Sequence, residues 1–254
     1  LFMKAVERFE DKVAELRIKK HQGRETEDFL NDVKKLAEGE AYEYLLGEVD
    51  FCGAKINLSL RPMIPRPETE FWVKQAIEDI LDTRRGFTLR VLDLFSGSGN
   101  VGLAVLKNIP ESIVDMIELD PKLKEQIDIS VVKNQIKKTR TRVFTGDTFE
   151  GASGSYDVIF AVPPYVPPQM KEEVMQELHA EDPLSFFDKE DGFYYHKQVL
   201  SHVKEFLKAD GVLYLEFDIT QRVKIEELAK ESGFTGYNFL KDPYGHECAI
   251  KLNK

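Results

Sequence analysis

A glycine-rich turn between a strand pattern and a helix pattern limits what this chain can fold into. In the stretch "VLDLFSGSGNVGLAVL" (residues 91–106), Asp93 closes an apolar strand pattern, and Gly97, Gly99 and Gly102 follow in G-x-G-x-x-G spacing. Glycines at this spacing permit a tight turn and let a ligand approach the backbone at the N-terminus of the next helix. The stretch therefore indicates a strand-turn-helix unit with a ligand site at the turn.

Strand-like and helix-like segments alternate through the rest of the chain. The strand patterns are "LRVLDLF", "SIVDMIEL", "TRVFTGD", "YDVIFAV" and "GVLYLEF", and the last segment, "GYNFLKDPYGHECAIKL", has two strand patterns around an Asp-Pro-Tyr-Gly turn. Such alternation makes a mainly parallel sheet that is covered by helices on both faces. We predict an α/β fold with a Rossmann-like sheet of seven strands and an antiparallel C-terminal hairpin.

The N-terminal part of the chain has a different pattern. Residues 1–45 carry apolar side chains at helical spacing, such as Phe9, Val13 and Leu16, which predicts a small helical domain. Residues 46–63 change to strand-like alternation around a Gly-Ala turn, which predicts a hairpin linker. The α/β domain then covers residues 64–254.

Composition limits the classes of partner. A formal charge of −10 and a pI near 5.2 argue against extended binding to a phosphate backbone, so we expect no nucleic-acid partner. The basic stretch Lys133–Arg142 is interpreted as a solvated helix end and turn. No run of about 20 apolar residues is present, so we expect a cytoplasmic protein without a membrane span. The sequence does not reveal the oligomeric state, and we expect a monomer that acts on a large protein partner.

The two cysteines give no indication of a metal site. Cys52 and Cys248 lie far apart in the sequence, and neither belongs to a metal-ligand spacing. We predict buried free thiols and no bound metal.

An acidic residue follows the glycine-rich turn at the expected distance. Glu118 closes the second strand pattern about 20 residues later, where a carboxylate can accept hydrogen bonds from two ribose hydroxyls. The combination fits a nicotinamide dinucleotide or S-adenosylmethionine. A dinucleotide usually needs a second mononucleotide-binding half and a residue placed to handle protons. Since neither stands out, we favour S-adenosylmethionine.

The stretch "VIFAVPPYVPP" (Val158–Pro168) ends a buried strand with two adjacent prolines. Proline cannot continue a sheet ladder, so the chain leaves the sheet at this point, beside the expected ligand crevice. Backbone carbonyls here can accept hydrogen bonds from a planar amine or amide, and Tyr165 can form a pocket wall. Holding a nitrogen in line with a methyl group is most of what a methyl transfer needs.

Six motifs resemble those of the bacterial release-factor glutamine methyltransferases, in the same order and spacing, from about Tyr42 to the C-terminus. They are "IPRPETE", "DLFSGSGNVGLA", "GDTF", "VPPYVP", "EDPLSFFDKEDGFYYHKQVL" and "LYLEFDITQ". The resemblance implies a methyltransferase sheet and S-adenosylmethionine as the methyl donor. It also implies a peptide chain release factor as the protein substrate, methylated on the side-chain amide of the glutamine in its Gly-Gly-Gln loop. The N-terminal helices would help dock that substrate.

The resemblance assigns roles to individual residues. It implies a cofactor site in which the loop contributes five residues, Glu118 binds the ribose and Asp147 and Thr148 border the adenine; the loop residues are Phe95, Ser96, Gly97, Ser98 and Gly99. The family's substrate motif, Asn-Pro-Pro-Tyr, falls on Val162, Pro163, Pro164 and Tyr165, and Val162 would also border the cofactor.

Val162 departs from the family motif. The asparagine of the family supplies a side-chain oxygen to one substrate N–H, and valine cannot replace it. An unpaired buried donor costs roughly 1–3 kcal/mol, which corresponds to a rate loss of about 5- to 150-fold. Three interpretations stay open: a deliberate weakening substitution, a natural variant with another substrate, and a non-catalytic relative. The competing functions are a nucleic-acid amino methyltransferase and a module that binds cofactor or release factor without turnover.

Overall fold

The chain forms nine α-helices and nine β-strands within the residues that the computed structural model describes, namely 8–84, 86–178 and 180–254. The N-terminal part holds α1 (Phe9–Lys19), α2 (Glu27–Ala37), α3 (Tyr42–Leu46), β1 (Glu48–Phe51) and β2 (Ala54–Asn57). The elements that follow are α4 (Pro67–Thr83), β3 (Arg90–Leu94), α5 (Asn100–Asn108), β4 (Ile113–Glu118), α6 (Pro121–Lys133), β5 (Thr141–Thr145), β6 (Tyr156–Ala161), α7 (Lys171–Glu177), α8 (Tyr194–Phe206), β7 (Leu207–Glu216), α9 (Arg222–Glu231), β8 (Gly236–Lys241) and β9 (Glu247–Asn253).

Seven strands form one sheet in the order β5-β4-β3-β6-β7-β9-β8. Neighbouring strands from β5 to β7 pair in parallel, and β9 pairs antiparallel with both β7 and β8. The predicted Rossmann-like sheet with an antiparallel C-terminal hairpin is confirmed. The strand order reverses between β3 and β6, and ligands of open α/β sheets bind outside the carboxyl ends of the strands at such a switch point.

Alternating side chains of the central strands divide the core into two layers. Val91 of β3 and Val158 of β6 pack with α4, α5 and α6 on one face, whereas Leu92 and Ile159 pack with α8 and α9 on the other. Because both layers are apolar, strands β3 and β6 are buried on both faces. This rigid centre fixes the positions of the loops that follow the two strands.

The N-terminal helices have a small core of their own. Leu16, Phe29, Tyr42 and Leu45 are buried together there. The hairpin β1–β2 is found where a hairpin linker was predicted, and its buried side chains belong to the main core beside Trp72. The hairpin therefore packs as part of the α/β unit. Residues 1–7 of the predicted helical domain lie outside the described residues.

Strand β7 begins earlier than the sequence predicts. It starts at Leu207, although the strand pattern starts at Gly211. Tyr156 pairs with Leu207 and Val158 pairs with Val212, so the extra residues of β7 are accommodated in a register shift. Helix α8 ends at Phe206 because Leu207 already has an extended backbone.

The basic stretch is more structured than predicted. Helix α6 ends at Lys133, as expected, but Arg140 donates hydrogen bonds to the carbonyls of Leu106, Ile109 and Ser112 near the end of α5. Arg142 also forms an ion pair with the buried Asp115. Both arginines therefore contact the folded core of the protein. The stretch is therefore part of the scaffold.

No helix of the described ranges is both long and apolar enough to span a membrane. The same residues contain no group of three or more histidine, cysteine or acidic side chains that could hold a metal ion. Both cysteines are free; Cys248 is buried and Cys52 is half-buried.

Candidate active site

The carboxyl ends of strands β3 to β7 open on one cavity of about 660 Å³. Small-molecule sites typically have volumes of about 300–1,000 Å³. All the site residues predicted from the sequence line this cavity except Gly99, which caps α5 beside it. The remaining wall comes from the segment before α4 and from residues 180–186.

The loop after β3 has an unusual backbone that brings it close to the cavity. Phe95, Gly97 and Gly99 have φ values of +58°, +51° and +78°, and a non-glycine residue at positive φ is uncommon. The Ser96 amide donates a hydrogen bond of 3.0 Å to the carbonyl of Ile117 on β4. A Cβ atom on Gly97 would meet nothing closer than 3.9 Å, so a ligand can approach the backbone at this point.

Asp93 anchors the start of α5 from the end of β3. Its Oδ2 accepts a hydrogen bond of 2.9 Å from the Gly102 amide, and a Cβ on Gly102 would lie only 3.0 Å from that same oxygen and 2.9 Å from the sulfur of Met116. The third glycine of the motif therefore serves close helix–strand packing. Burial raises the pKa of Asp93 to about 7.

Glu118 joins the loops that follow β3 and β4. Its Oε2 accepts from the Gly97 amide at 2.7 Å, and its Oε1 accepts from the Asp120 amide at 2.9 Å. Each carboxylate oxygen has capacity for a further hydrogen bond. Burial raises the pKa of Glu118, and its side chain lines the cavity. The carboxylate is thus held in position and can accept hydroxyl donors.

Asp147 and Thr148 follow β5 at the same end of the sheet. Thr148 has a positive φ of 49° and donates its hydroxyl to Asp147 Oδ1 at 2.9 Å. The second oxygen of Asp147 accepts from Lys189 Nζ at 3.0 Å. The loop after β5 is therefore tied to the segment before α8.

The chain leaves the sheet after β6 through Val162, Pro163, Pro164 and Tyr165, as the sequence predicts. The Tyr165 hydroxyl donates to Glu216 Oε1 at 3.2 Å, and the Tyr165 carbonyl accepts from Gln221 Nε2 at 3.1 Å. Burial and the neighbouring Glu216 raise the pKa of Tyr165 well above its usual value, so the phenol stays protonated. The two prolines are thus followed by a tyrosine whose hydroxyl and carbonyl are both held by hydrogen bonds.

Glu216 is a cavity residue that the sequence reasoning missed. It ends β7, is only 6% exposed, and accepts hydrogen bonds from Thr69 Oγ1 at 2.7 Å and Trp72 Nε1 at 2.6 Å. The sequence has two signals at this position: an acid at the end of an apolar strand, and its place in the motif "LYLEFDITQ". Neither signal identifies its contacts on α4.

A buried ion pair forms part of the cavity wall. Arg66 Nη2 donates to Glu181 Oε1 at 2.6 Å, and the Ile64 amide donates to the other oxygen at 2.9 Å. Both charged side chains are less than 10% exposed. The stretches "IPRPETE" and "EDPLSFFDKEDGFYYHKQVL" both stand out in the sequence, but their direct contact does not.

Comparison with known proteins gives a methyltransferase family model and methyltransferase relatives. The family model described as "Methyltransferase small domain" matches residues 75–185. The chain is 31% identical to a release factor glutamine methyltransferase of Streptococcus pneumoniae, over 90% of this chain and 81% of that protein. It is 30% identical to one of Thermodesulfovibrio yellowstonii, over 90% and 83%.

The fold is shared with more distant proteins. The crystal structure of a methyltransferase from Pyrococcus furiosus superposes with a TM-score of 0.55 at 16% identity, covering 89% of this chain and 95% of that one. At such low identity the likeness concerns the fold alone. The identity and coverage of the curated relatives go further, and the chain therefore belongs to the release factor glutamine methyltransferase family.

Proposed function

We propose that this chain transfers the methyl group of S-adenosylmethionine to the side-chain amide nitrogen of the glutamine in the Gly-Gly-Gln loop of a peptide chain release factor. One observation carries the proposal. The glycine-rich loop with Glu118 and the two-proline exit from β6 face one cavity at the switch point of the sheet. A donor site and a nucleophile site therefore share one enclosure.

The residues on the donor side fit an adenosine-containing sulfonium compound. Glu118 would hold the ribose hydroxyls, because its oxygens line the cavity and keep acceptor capacity. Phe95, Ser96, Gly97 and Ser98 would form the loop against which the ligand lies, and Asp147 and Thr148 would border the base. When bound, S-adenosylmethionine supplies an electrophilic methyl group.

The residues on the substrate side position a planar nitrogen group. Pro163 and Pro164 have no N–H, so the backbone here offers carbonyl acceptors, and Tyr165 is held rigid by Glu216 and Gln221. One of the two N–H donors of a substrate amide can bond to these carbonyls. No general base is needed before the transfer, because methylation makes the nitrogen acidic and its proton then leaves.

Val162 lowers the rate in this proposal without preventing turnover. An asparagine at this position would add a carbonyl acceptor for the second substrate N–H. We therefore expect Val162→Asn to accelerate transfer by up to about 150-fold, the limit that applies where no other group accepts the second N–H, since an unpaired buried donor costs roughly 1–3 kcal/mol.

The N-terminal helices are proposed to dock the release factor. Phe9, Ile18 and Leu30 are large apolar side chains on α1 and α2, and they are 45%, 65% and 61% exposed. They lie outside the small core formed by Leu16 and its neighbours. The two helices thus carry single exposed apolar side chains on more than one face, and a partner protein can cover one of these faces. We propose a cytoplasmic monomer that meets its substrate with the N-terminal helices.

The test uses labelled S-adenosylmethionine with three acceptors: a release factor, RNA and DNA. Wild-type protein and Val162→Asn are expected to label the release factor, with the variant faster. The control is Val223→Asn, which makes the same change at a 64% exposed position outside the cavity and should leave the rate unchanged. Labelling of RNA or DNA instead would indicate a nucleic-acid amino methyltransferase. Cofactor binding without transfer to any acceptor would indicate a binding module.

A further inference from the structure

Val162 and Glu216 are cross-strand neighbours at the ends of β6 and β7. The register pairs Ala161 with Leu215, and the two residues follow directly. Ala161 and Leu215 face the layer of α8 and α9, so the next residues face the opposite layer. Val162 indeed packs against the core that contains α4, and Glu216 binds two side chains of α4. The carboxylate therefore lies beside the valine, on the same face of the sheet.

The hydrogen bonds of Glu216 are unequally divided between its two oxygens. Oε2 accepts two short bonds, of 2.7 Å from Thr69 and 2.6 Å from Trp72. Oε1 accepts one longer bond, of 3.2 Å, from the Tyr165 hydroxyl. A carboxylate oxygen can accept two hydrogen bonds. Oε1, on the side of the cavity-lining Tyr165, therefore has capacity for another donor.

Among the residues that the structure describes, the Glu216 carboxylate has no cationic partner. Its three donors are uncharged groups, and no lysine or arginine of the described ranges forms an ion pair with it. Burial raises the pKa of Glu216, and the neighbouring Glu68 adds to this effect, whereas the hydrogen bonds from Trp72, Thr69 and Tyr165 act in the opposite direction. An unpaired buried carboxylate next to a cavity attracts an N–H donor or a developing positive charge.

One N–H of the substrate amide can donate to a backbone carbonyl of the β6 exit, but the other has no side-chain acceptor there. Val162 has no polar side-chain atom, and the prolines offer only carbonyls. During transfer the nitrogen lone pair forms the new N–CH₃ bond and the electrons of the broken C–S bond stay on sulfur, which becomes a thioether. The nitrogen gains positive charge and then gives up one proton. An acceptor beside the nitrogen stabilises that charge more than it stabilises the starting amide.

Resting on the proposed function, we propose that Glu216 is a catalytic residue whose Oε1 accepts the substrate N–H left without a side-chain partner by Val162, and then receives the departing proton. Glu216, at the end of β7, thereby takes the acceptor role that an asparagine at position 162, after β6, would otherwise have. The two positions are adjacent, so either side chain can reach the same nitrogen.

Glu216→Gln tests this assignment with little change in shape. The glutamine oxygen can keep the bonds from Thr69 and Trp72, and its NH₂ group then replaces the acceptor on the Tyr165 side. We expect kcat/KM for methylation of the release factor to fall about 100-fold, in the range found when one group that stabilises transition-state charge is removed. Affinity for the product S-adenosylhomocysteine should not change.

The decisive comparison is the same substitution in a Val162→Asn background. There the asparagine supplies the missing acceptor, so Glu216→Gln should cost about 10-fold or less, and the two changes should be strongly non-additive. The affinity of a Gly-Gly-Gln peptide, measured with S-adenosylhomocysteine present, should follow the same pattern. A control is Asp79→Asn, which alters a carboxylate that accepts from the Tyr214 hydroxyl away from this cavity; it should leave the rate unchanged.

Equal losses in both backgrounds, or no loss in either, would overturn the role of Glu216 while leaving the proposed function intact. Absence of transfer to the glutamine by both wild-type protein and Val162→Asn would refute the proposed function, and the role of Glu216 with it. A melting temperature of Glu216→Gln close to that of the wild-type protein excludes unfolding as the cause of a rate loss.

Discussion

The Gly97 amide donates a hydrogen bond of 2.7 Å to Oε2 of Glu118. This bond connects the glycine-rich loop after β3 to the acid that closes β4, 21 residues along the chain. A second hydrogen bond, from the Asp120 amide to Oε1, fixes the other oxygen. Loop and acid therefore form one preorganised wall of the cavity, which a ligand with vicinal hydroxyls can use without rearranging it.

We predict that Glu118→Gln weakens binding of S-adenosylhomocysteine by about 10- to 100-fold. The substitution removes the charge and turns one acceptor into a donor that faces a backbone N–H, and a hydrogen bond to a charged group is worth about 1.5–3 kcal/mol. Titration calorimetry measures the effect. Glu125→Gln, at an exposed position of α6, is the matched control and should bind like the wild-type protein. Unchanged affinity of Glu118→Gln would disprove the ribose role.

We predict that Gly102→Ala lowers the free energy of unfolding by about 1–3 kcal/mol, the usual cost of overpacking. The added methyl group would meet Met116 and Asp93 at about 3 Å, and both are buried. Urea unfolding measures this change. Gly236→Ala is the control, because its new Cβ would meet Asn253 at 3.5 Å, an ordinary contact. Equal stabilities of the two variants would contradict the packing role of Gly102.

Asp93 should make the protein less stable as the pH rises. Burial raises its pKa to about 7 in the folded chain, whereas an unfolded aspartate has a pKa near 3.8. Between these values the folded state binds more protons than the unfolded state, so its stability falls with increasing pH. In Asp93→Asn this contribution is absent, and the asparagine oxygen can still accept from Gly102.

Urea unfolding at pH 5 and pH 8 measures this effect. From pH 5 to pH 8, the wild-type protein should lose about 2–3 kcal/mol relative to Asp93→Asn. Parallel pH profiles of the two proteins would show that Asp93 does not titrate in this window.

The buried pair of Arg66 and Glu181 should contribute strongly to stability because both charged side chains are less than 10% exposed. We predict that Arg66→Met costs about 3–5 kcal/mol, since it leaves the Glu181 carboxylate buried without its cation. Arg17→Met breaks an exposed pair with Glu25 and should cost less than about 1 kcal/mol. Chemical denaturation compares the two variants. Similar small losses in both would mean that water reaches Glu181.

The residues on the methyl-donor side of the site could be predicted because they lie close together in the sequence. Gly97, Gly99 and Gly102 lie in one short motif, and Glu118 ends the next strand. The alternation of Val91 and Leu92 toward opposite layers likewise follows from the period of a strand. Patterns of this kind depend only on residues that are close in the sequence. The parallel sheet then brings the ends of neighbouring strands together.

The long-range part of the site could not be predicted. Thr69 and Glu216 are 147 residues apart, and Arg66 and Glu181 are 115 apart. Neither pair has a periodic signature, because each depends on the order of the strands and on how α4 crosses the sheet. A single acid or arginine in a motif indicates that its position is important, but it does not identify the residue that the side chain contacts. The early start of β7 was missed for a related reason, since a register shift depends on the neighbouring strand.

The most direct test of the account is to map the methyl group. Wild-type protein is incubated with S-adenosylmethionine and a release factor, and the product is digested and sequenced by mass spectrometry, alongside a release factor with alanine in place of the Gly-Gly-Gln glutamine. The account predicts one added methyl group on the side-chain nitrogen of that glutamine and none on the alanine version. A methyl group at any other residue, or no methyl group with either wild-type protein or Val162→Asn while both bind S-adenosylhomocysteine, would contradict it.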